Sequence, residues 1–170
     1  MSSISSLPWH GEPTAALVVV GVTPHQGADV VLTAAWFAAR LGASLVCLWT
    51  DESHLTIGRG EDGTVMTTPL DPDQVDDEGR PNAVEELHDR MKNILSDSQT
   101  AWRLRYAAGS PAKALHEVAE ELDATAIAIG TRDKGFSHWA AEKTDGSVAV
   151  WLARNQHRPV ILIPTANAQR

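Results

Sequence analysis

The stretch that decides the fold reads Ala126-Ile127-Ala128-Ile129-Gly130 and continues through a polar loop with Gly135 to Gly146-Ser147. A short apolar run predicts a buried strand, and a glycine followed by serine predicts the start of a helix. The first N–H groups of a helix lack partners within it, and glycines let backbone approach a ligand closely, so this layout suits a phosphate. The alternative is that these glycines only end a strand and begin a helix.

Similar apolar runs recur along the chain, and they predict five strands, over 15–22, 44–50, 101–107, 125–129 and 159–163. Between the strands, apolar residues return every three or four positions, which is typical of helices with one buried face. These helices are predicted over 29–41, 82–96, 111–122 and 147–155.

This alternation of strands and helices predicts right-handed crossovers and a parallel sheet with helices on both faces, a three-layer α/β/α sandwich. In the third predicted strand, apolar residues alternate with Arg103 and Arg105, which predicts a wetter face at a sheet edge. Ligands of such sheets bind beyond the carboxyl ends of the strands, so the candidate loops are 23–25 and 130–145.

The chain has 170 residues, of which 43% are hydrophobic, and this predicts one domain over 14–166. Residues 1–13 are predicted to be flexible, and the polar, glycine- and proline-rich stretch 51–81 is predicted to be a mobile surface insertion. No apolar run is long enough to cross a bilayer, and the start lacks the pattern of a signal peptide. We therefore expect a cytoplasmic protein.

The net charge of −8 disfavours binding to nucleic acid and to membrane surfaces. Of the 22 acidic residues, 13 lie within 51–97, so an anion site is expected outside that region. Cys47, the single cysteine, lies in a predicted strand and is interpreted as a small buried hydrophobe.

Other motifs point to no catalytic chemistry or metal. Residues 58–63 match G-x-G-x-x-G, but the motif neither follows a strand directly nor begins a helix, as a dinucleotide site requires. The acids within 71–78 depart from the spacing of a calcium loop, and the seven histidines show no spacing typical of a zinc site. We therefore predict no catalytic residue and no metal held by protein ligands alone.

Several short segments together resemble the universal stress protein family, in their order and spacing over nearly all of residues 15–164. They are Val18-Val19-Val20-Gly21-Val22, Ala38-Ala39-Arg40-Leu41-Gly42-Ala43, Gly109-Ser110-Pro111-Ala112, Ile127-Ala128-Ile129-Gly130-Thr131-Arg132, Gly146-Ser147-Val148 and Arg158-Pro159-Val160. The resemblance implies a five-stranded sheet in the order 3-2-1-4-5, the adenine nucleotide alpha-hydrolase-like fold. It also implies a homodimer formed through the last strand, from Pro159 to Ile163.

Many members of this family bind ATP, accompanied by Mg²⁺ when it is bound, with a G-x-x-G motif, nine further residues and then G-[S/T]. The resemblance implies nucleotide contacts from Thr23, Pro24, His25, Trp49, Gly130, Thr131, Arg132, Gly135, Gly146, Ser147 and Val148.

The chain departs from the family motif at several positions. Asp133 replaces its second glycine, the following spacing is three residues longer, and Gly135 is placed to take over part of the role. Thr23 replaces an aspartate, and Trp49 replaces a smaller residue that usually lies against the adenine. Trp49 could stack on a base or fill its pocket. A carboxylate at Asp133 would repel a triphosphate by about 1 to 4 kcal/mol.

The leading expectation is a dimeric stress-response binding and signalling module, not an enzyme, with an ATP pocket that departs from the family pattern. A first alternative is an interaction module that binds no nucleotide and offers the insertion 51–81 to an unidentified protein partner. A second is a slow ATPase, for which Asp133, Asp145 and His25 are the candidate groups.

Overall fold

The computed structural model describes residues 4–52, 54–59, 65–69, 80–131 and 147–165. The strands in this part of the chain are β1 (Ile4–Ser6), β2 (Leu17–Val22), β3 (Ser44–Asp51), β4 (His54–Arg59), β5 (Val65–Pro69), β6 (Trp102–Ala108), β7 (Ala126–Gly130) and β8 (Val160–Ile163). The helices are α1 (Ala28–Arg40), α2 (Arg80–Ile94), α3 (Pro111–Glu121) and α4 (Val148–Asn155).

One large sheet organises the described residues, with its strands in the order β1-β6-β3-β2-β7-β8. Five neighbouring strands of this sheet are all parallel to one another: β6, β3, β2, β7 and β8. Numbered by their place in the chain, these five strands have the order 3-2-1-4-5, so the predicted sheet is confirmed. Val18 pairs with Leu45 of β3 on one side and with Ala126 of β7 on the other, which puts β2 in the middle of the sheet.

Each face of the sheet carries its own helices. Val18 and Val20 face a core that includes residues of α1 and α2, whereas Val19 faces a second core with residues of α3 and α4. Because both faces are covered, the strands read as nearly continuous apolar runs. The predicted three-layer α/β/α class is confirmed. Cys47 is buried in the first core, and burial raises the pKa of its thiol to about 12.

The prediction that residues 101–107 form an edge strand is wrong. β1 pairs with β6 in antiparallel orientation, and part of the segment predicted to be flexible is thereby bonded to the sheet. Arg105 is buried and donates from Nη2 to both carboxylate oxygens of Glu121 at 3.1 Å, while the Arg103 guanidinium lies 4.7 Å from the centre of the Trp9 ring. The two arginines of β6 are therefore explained by an ion pair and a ring contact beneath the N-terminal segment, and not by a solvent-exposed sheet edge.

The predicted insertion contains a two-stranded antiparallel hairpin of β4 and β5, with an irregularity in register between Thr56 and Gly58. Gly58 and Arg59 end β4, so the start of the glycine motif lies in a strand and not before a helix. The acids of 71–78 lie outside the described residues. Mobility of the insertion stays a prediction. Among the described helices, none is both long and apolar enough to cross a membrane.

Candidate functional site

The sheet order identifies the place where a ligand would bind. From β2 the chain crosses through α1 to β3 on one side, and it later enters β7 on the other side of β2. Open α/β sheets bind ligands at such a reversal, beyond the carboxyl ends of the two neighbouring strands. The predicted loop 23–25 follows β2 at this end of the sheet, whereas residues 132–145 of the second predicted loop lie outside the described residues.

The loop after β2 is closed by one glutamine. The backbone N–H of Thr23 donates to Oε1 of Gln26 at 3.1 Å, and the backbone N–H of Gln26 donates to the carbonyl of Thr23 at 3.3 Å. Gln26 is only 4% exposed, although it lies in a loop. Because its Oε1 accepts from Thr23, the orientation of its carboxamide is fixed.

A cation from α2 holds the same loop from outside. Arg90 donates from Nη1 to the carbonyl of Pro24 and from Nη2 to the carbonyl of Gln26. A planar guanidinium presents donors in a fixed fork, so one side chain can hold two neighbouring carbonyls. Arg90 therefore positions the loop and also brings a positive charge to the margin of the crevice.

Gly130, at the end of β7, is crowded by the protein itself. A Cβ at this position would lie 2.9 Å from Cγ2 of Val30, 3.0 Å from Nε2 of Gln26 and 3.3 Å from Cγ2 of Thr165. Backbone conformation does not require glycine here, since Gly130 is not among the glycines with positive φ. Close packing against α1 explains why this position holds glycine, which agrees with the alternative that Gly130 only ends a strand.

Two buried polar groups beside Gly130 have no hydrogen-bond partner within the described part of the chain. They are Nε2 of Gln26 and Oγ1 of Thr165. Leaving a buried donor unsatisfied costs about 1 to 3 kcal/mol, and native proteins rarely tolerate it without a reason. An acceptor atom that enters the crevice would satisfy the amide donor.

Trp49, at the carboxyl end of β3, is built into the core. It is 8% exposed and packs edge-on against Tyr106, with ring centres 5.1 Å apart and an interplanar angle of 67°. The hydroxyl of Tyr106 donates in turn to Oδ2 of Asp51 at 3.4 Å. Of the two roles that the sequence left open for Trp49, this packing supports the one in which the indole fills space.

The start of α4 carries its own cap. Oγ of Ser147 accepts from the backbone N–H of Val150 at 3.4 Å, and Val148 is buried in the second core. Thr131 extends the pairing of β7 with β8 by one residue, since its N–H donates to the carbonyl of Ile163 at 3.0 Å. The first N–H groups of a helix have no partner within the helix itself, so the start of α4 is the kind of position that suits an anion.

The remaining candidates divide into two groups. His25 is exposed on the loop after β2, and Pro24 is half-buried there, with its carbonyl held by Arg90. The others lie outside the described residues: Arg132, Gly135 and Gly146, together with Asp133 and Asp145.

Sequence reasoning missed three residues of the crevice, Gln26, Arg90 and Thr165. None of them belongs to a recognisable motif, and Arg90 reaches the loop from 64 positions away in the chain. A metal cluster of three or more His, Cys, Asp or Glu side chains is also absent from the part of the chain that the structure describes.

Comparison with known proteins identifies the family. The model of the universal stress protein family matches residues 16–164. No curated protein matches the chain. Among solved structures, a universal stress protein from Burkholderia pseudomallei shares 21% identity, with a TM-score of 0.59, over 89% of this chain and 97% of that one.

Two similar structures contain a nucleotide. A universal stress protein in complex with cAMP shares 20% identity, with a TM-score of 0.56, over 89% of this chain and 98% of that one. The universal stress protein from Archaeoglobus fulgidus in complex with dAMP shares 20% identity, with a TM-score of 0.57, over 87% and 97%. Identity at this level shows a common fold. The family match over most of the chain shows more: the chain belongs to the universal stress protein family.

Proposed function

We propose that this universal stress protein is a non-catalytic, dimeric signalling module that binds an adenine nucleotide between the carboxyl ends of β2 and β7. ATP is the expected ligand, and the nucleotides bound to two structural relatives, cAMP and dAMP, support the adenine class. The observation that carries the proposal is the buried amide of Gln26, whose Nε2 has no partner in the described residues and lies beside Gly130.

The groups in the crevice fit a ligand that accepts hydrogen bonds. Gln26 would donate from Nε2 to a ligand oxygen, and the hydroxyl of Thr165 is a second unpaired polar group close by. Arg90 supplies a positive charge to this site. The family pattern has an aspartate at position 23, whereas Thr23 of this chain carries no negative charge that would oppose an anion. A nucleotide has phosphate oxygens that would accept from Nε2 of Gln26, and their negative charge suits a site beside Arg90.

Magnesium would accompany the nucleotide and not bind independently. Mg²⁺ is usually held by substrate phosphates, waters and one or two carboxylates. Within the described residues no cluster of acidic side chains is available at the crevice. Mg²⁺ is therefore proposed to bind only through the phosphates.

The dimer is proposed to form through β8. Among the described residues, β8 pairs with β7 on one side and with no strand on the other side. Leu162 of β8 is 51% exposed, and an exposed apolar residue on an edge strand favours pairing with another chain. Pairing Pro159 to Ile163 with a second copy would cover this edge.

Thermal unfolding with ATP, AMP and cAMP, each with and without Mg²⁺, tests the proposal. A ligand at 100 times its Kd stabilises by about 2.7 kcal/mol, which raises Tm by about 5 to 10 °C in a chain of this length. We expect such a rise with at least one adenine nucleotide, and no release of phosphate from ATP. No rise with any of them would favour the nucleotide-free interaction module, and steady phosphate release would favour the slow ATPase.

A further inference from the structure

The N-terminal segment, residues 4–12, is fastened to the first edge of the sheet. The N–H of Leu7 donates to the carbonyl of Leu104 at 2.9 Å. Further along, His10 and Trp102 exchange two backbone hydrogen bonds, of 2.8 and 2.9 Å. Trp102 begins β6, so this contact lies at the opposite end of the parallel strands from the nucleotide crevice.

Two histidines close this contact. Nε2 of His10 lies 2.8 Å from Nε2 of His88 on α2, and the ring of His10 stacks on Trp102 with centres 4.3 Å apart and an interplanar angle of 10°. This separation is a hydrogen bond between ring nitrogens, in which one imidazole donates and the other accepts. An acceptor nitrogen exists only while at least one ring is neutral, so the contact is lost when both rings carry two protons.

The surroundings disfavour a second positive charge. Burial, His88 and Lys92 all lower the pKa of His10 below its usual 6.5. On α2, the exposed Asp89 carboxylate lies 3.7 Å from Nδ1 of His88. Glu12 is exposed on the N-terminal segment itself, and Arg103 of β6 is turned to Trp9, which packs on the other core.

Protons reach this site from solvent. His10 lines an open groove with a volume of about 590 Å³, together with Glu12 and Lys92. A histidine whose pKa is lowered by folding contributes stability that is fully present above about pH 6.5 and is lost as the pH falls through the folded value. Mild acid is therefore the condition that would weaken the contact.

We propose that His10 and His88 form an acid-sensitive latch that holds residues 4–12 on β6 and α2 and opens when both imidazoles are protonated. Opening would uncover Trp102 and free the backbone groups of β6 that face the N-terminal segment. A sheet edge freed in this way is available for pairing with another extended chain. The latch shares no residue with the crevice, although His88 and the loop anchor Arg90 both lie on α2.

Amide hydrogen exchange of the full chain, followed by NMR, tests the latch. Protection factors of Leu7, His10 and Trp102 are measured at about pH 7.5 and about pH 5, on either side of the ordinary histidine pKa. We expect a loss of protection of about tenfold or more at the lower pH, confined to these amides and not shared by those of β2 and β7. Equal protection at both pH values, or an equal loss throughout the sheet, would overturn the proposal.

Matched variants separate titration from packing. His88→Gln keeps a side chain that can donate or accept but does not titrate, and it should remove the pH dependence. His88→Lys places a fixed positive charge beside His10 and should open the segment already at neutral pH. His157→Gln, at an exposed histidine elsewhere, should keep the wild-type response. A pH response retained in His88→Gln would overturn the latch even if His88→Lys fails to fold.

Discussion

Nη2 of Arg90, on α2, donates to the backbone carbonyl of Gln26 in the loop after β2, while Nη1 of the same guanidinium donates to the carbonyl of Pro24. A helix at one side of the sheet thereby fixes a loop at the centre of the candidate site. The position of the Gln26 carboxamide depends on this anchor as well as on its own bond to Thr23.

Arg90→Ala should loosen that loop. Two carbonyls would lose a charged donor, and such hydrogen bonds contribute about 1.5 to 3 kcal/mol each at most. We expect a loss of about 1.5 to 3 kcal/mol in the free energy of unfolding, measured with urea. Arg90→Lys should recover only part of it, because an ammonium lacks the planar fork. Arg154→Ala, at an exposed arginine of α4, is the control, and an equal loss there would contradict the anchoring role.

Gly130→Ala should destabilise the fold. The new Cβ would lie 2.9 Å from Cγ2 of Val30, closer than real contacts allow, and such overpacking costs about 1 to 3 kcal/mol. Gly21→Ala is the matched control, since its Cβ would lie at least 3.5 Å from its neighbours. Urea unfolding of both variants decides the point: similar stabilities would mean that crowding does not explain Gly130.

Leu162→Lys should yield a monomer. The leucine is 51% exposed on β8, which ends the sheet among the described strands, and a charge on an edge strand opposes pairing with a second copy. Light scattering after gel filtration should give twice 18.3 kDa for the wild type and 18.3 kDa for the variant. Leu32→Lys, at an exposed leucine of α1, should stay dimeric. A monomeric wild type would refute the proposed dimer outright.

Cys47 should be inert in the native protein. Its thiol is fully buried, and burial raises its pKa to about 12, so almost no thiolate exists at neutral pH. An aromatic disulfide reagent should react with it only after unfolding, at a rate that rises with denaturant. Rapid stoichiometric labelling of the folded chain would show that the first core opens locally around β3.

The strands and helices could be predicted because their signals are local. The run predicted over 125–129 became Ala126–Gly130, and the helix predicted over 111–122 became Pro111–Glu121. The order of the strands came from the family resemblance and not from the residues. β1 escaped prediction because three residues carry no periodicity, and without β1 the arginines of β6 read as a wet edge.

The candidate site was less predictable. The positions of its loops followed from the positions of the strands. Nothing in the sequence around Gln26 indicates a binding role, because its role depends on its burial, which only the structure shows. Two roles were open for Gly130, phosphate contact and the end of a strand, and its close packing against Val30 supports the second, while its contact with a nucleotide stays a prediction. The His10–His88 contact joins residues 78 apart, so no spacing rule could find it.

Calorimetric titration of wild type, Gln26→Glu and His157→Gln with ATP and with AMP tests the central claim most directly. Glutamate keeps an oxygen for the N–H of Thr23 but replaces the Nε2 donor beside Gly130 with a second oxygen. We predict that the wild type and His157→Gln bind with the same Kd and that Gln26→Glu binds at least about tenfold more weakly, a difference of about 1.4 kcal/mol. Equal affinity in all three proteins, or no binding by the wild type, would contradict the claim.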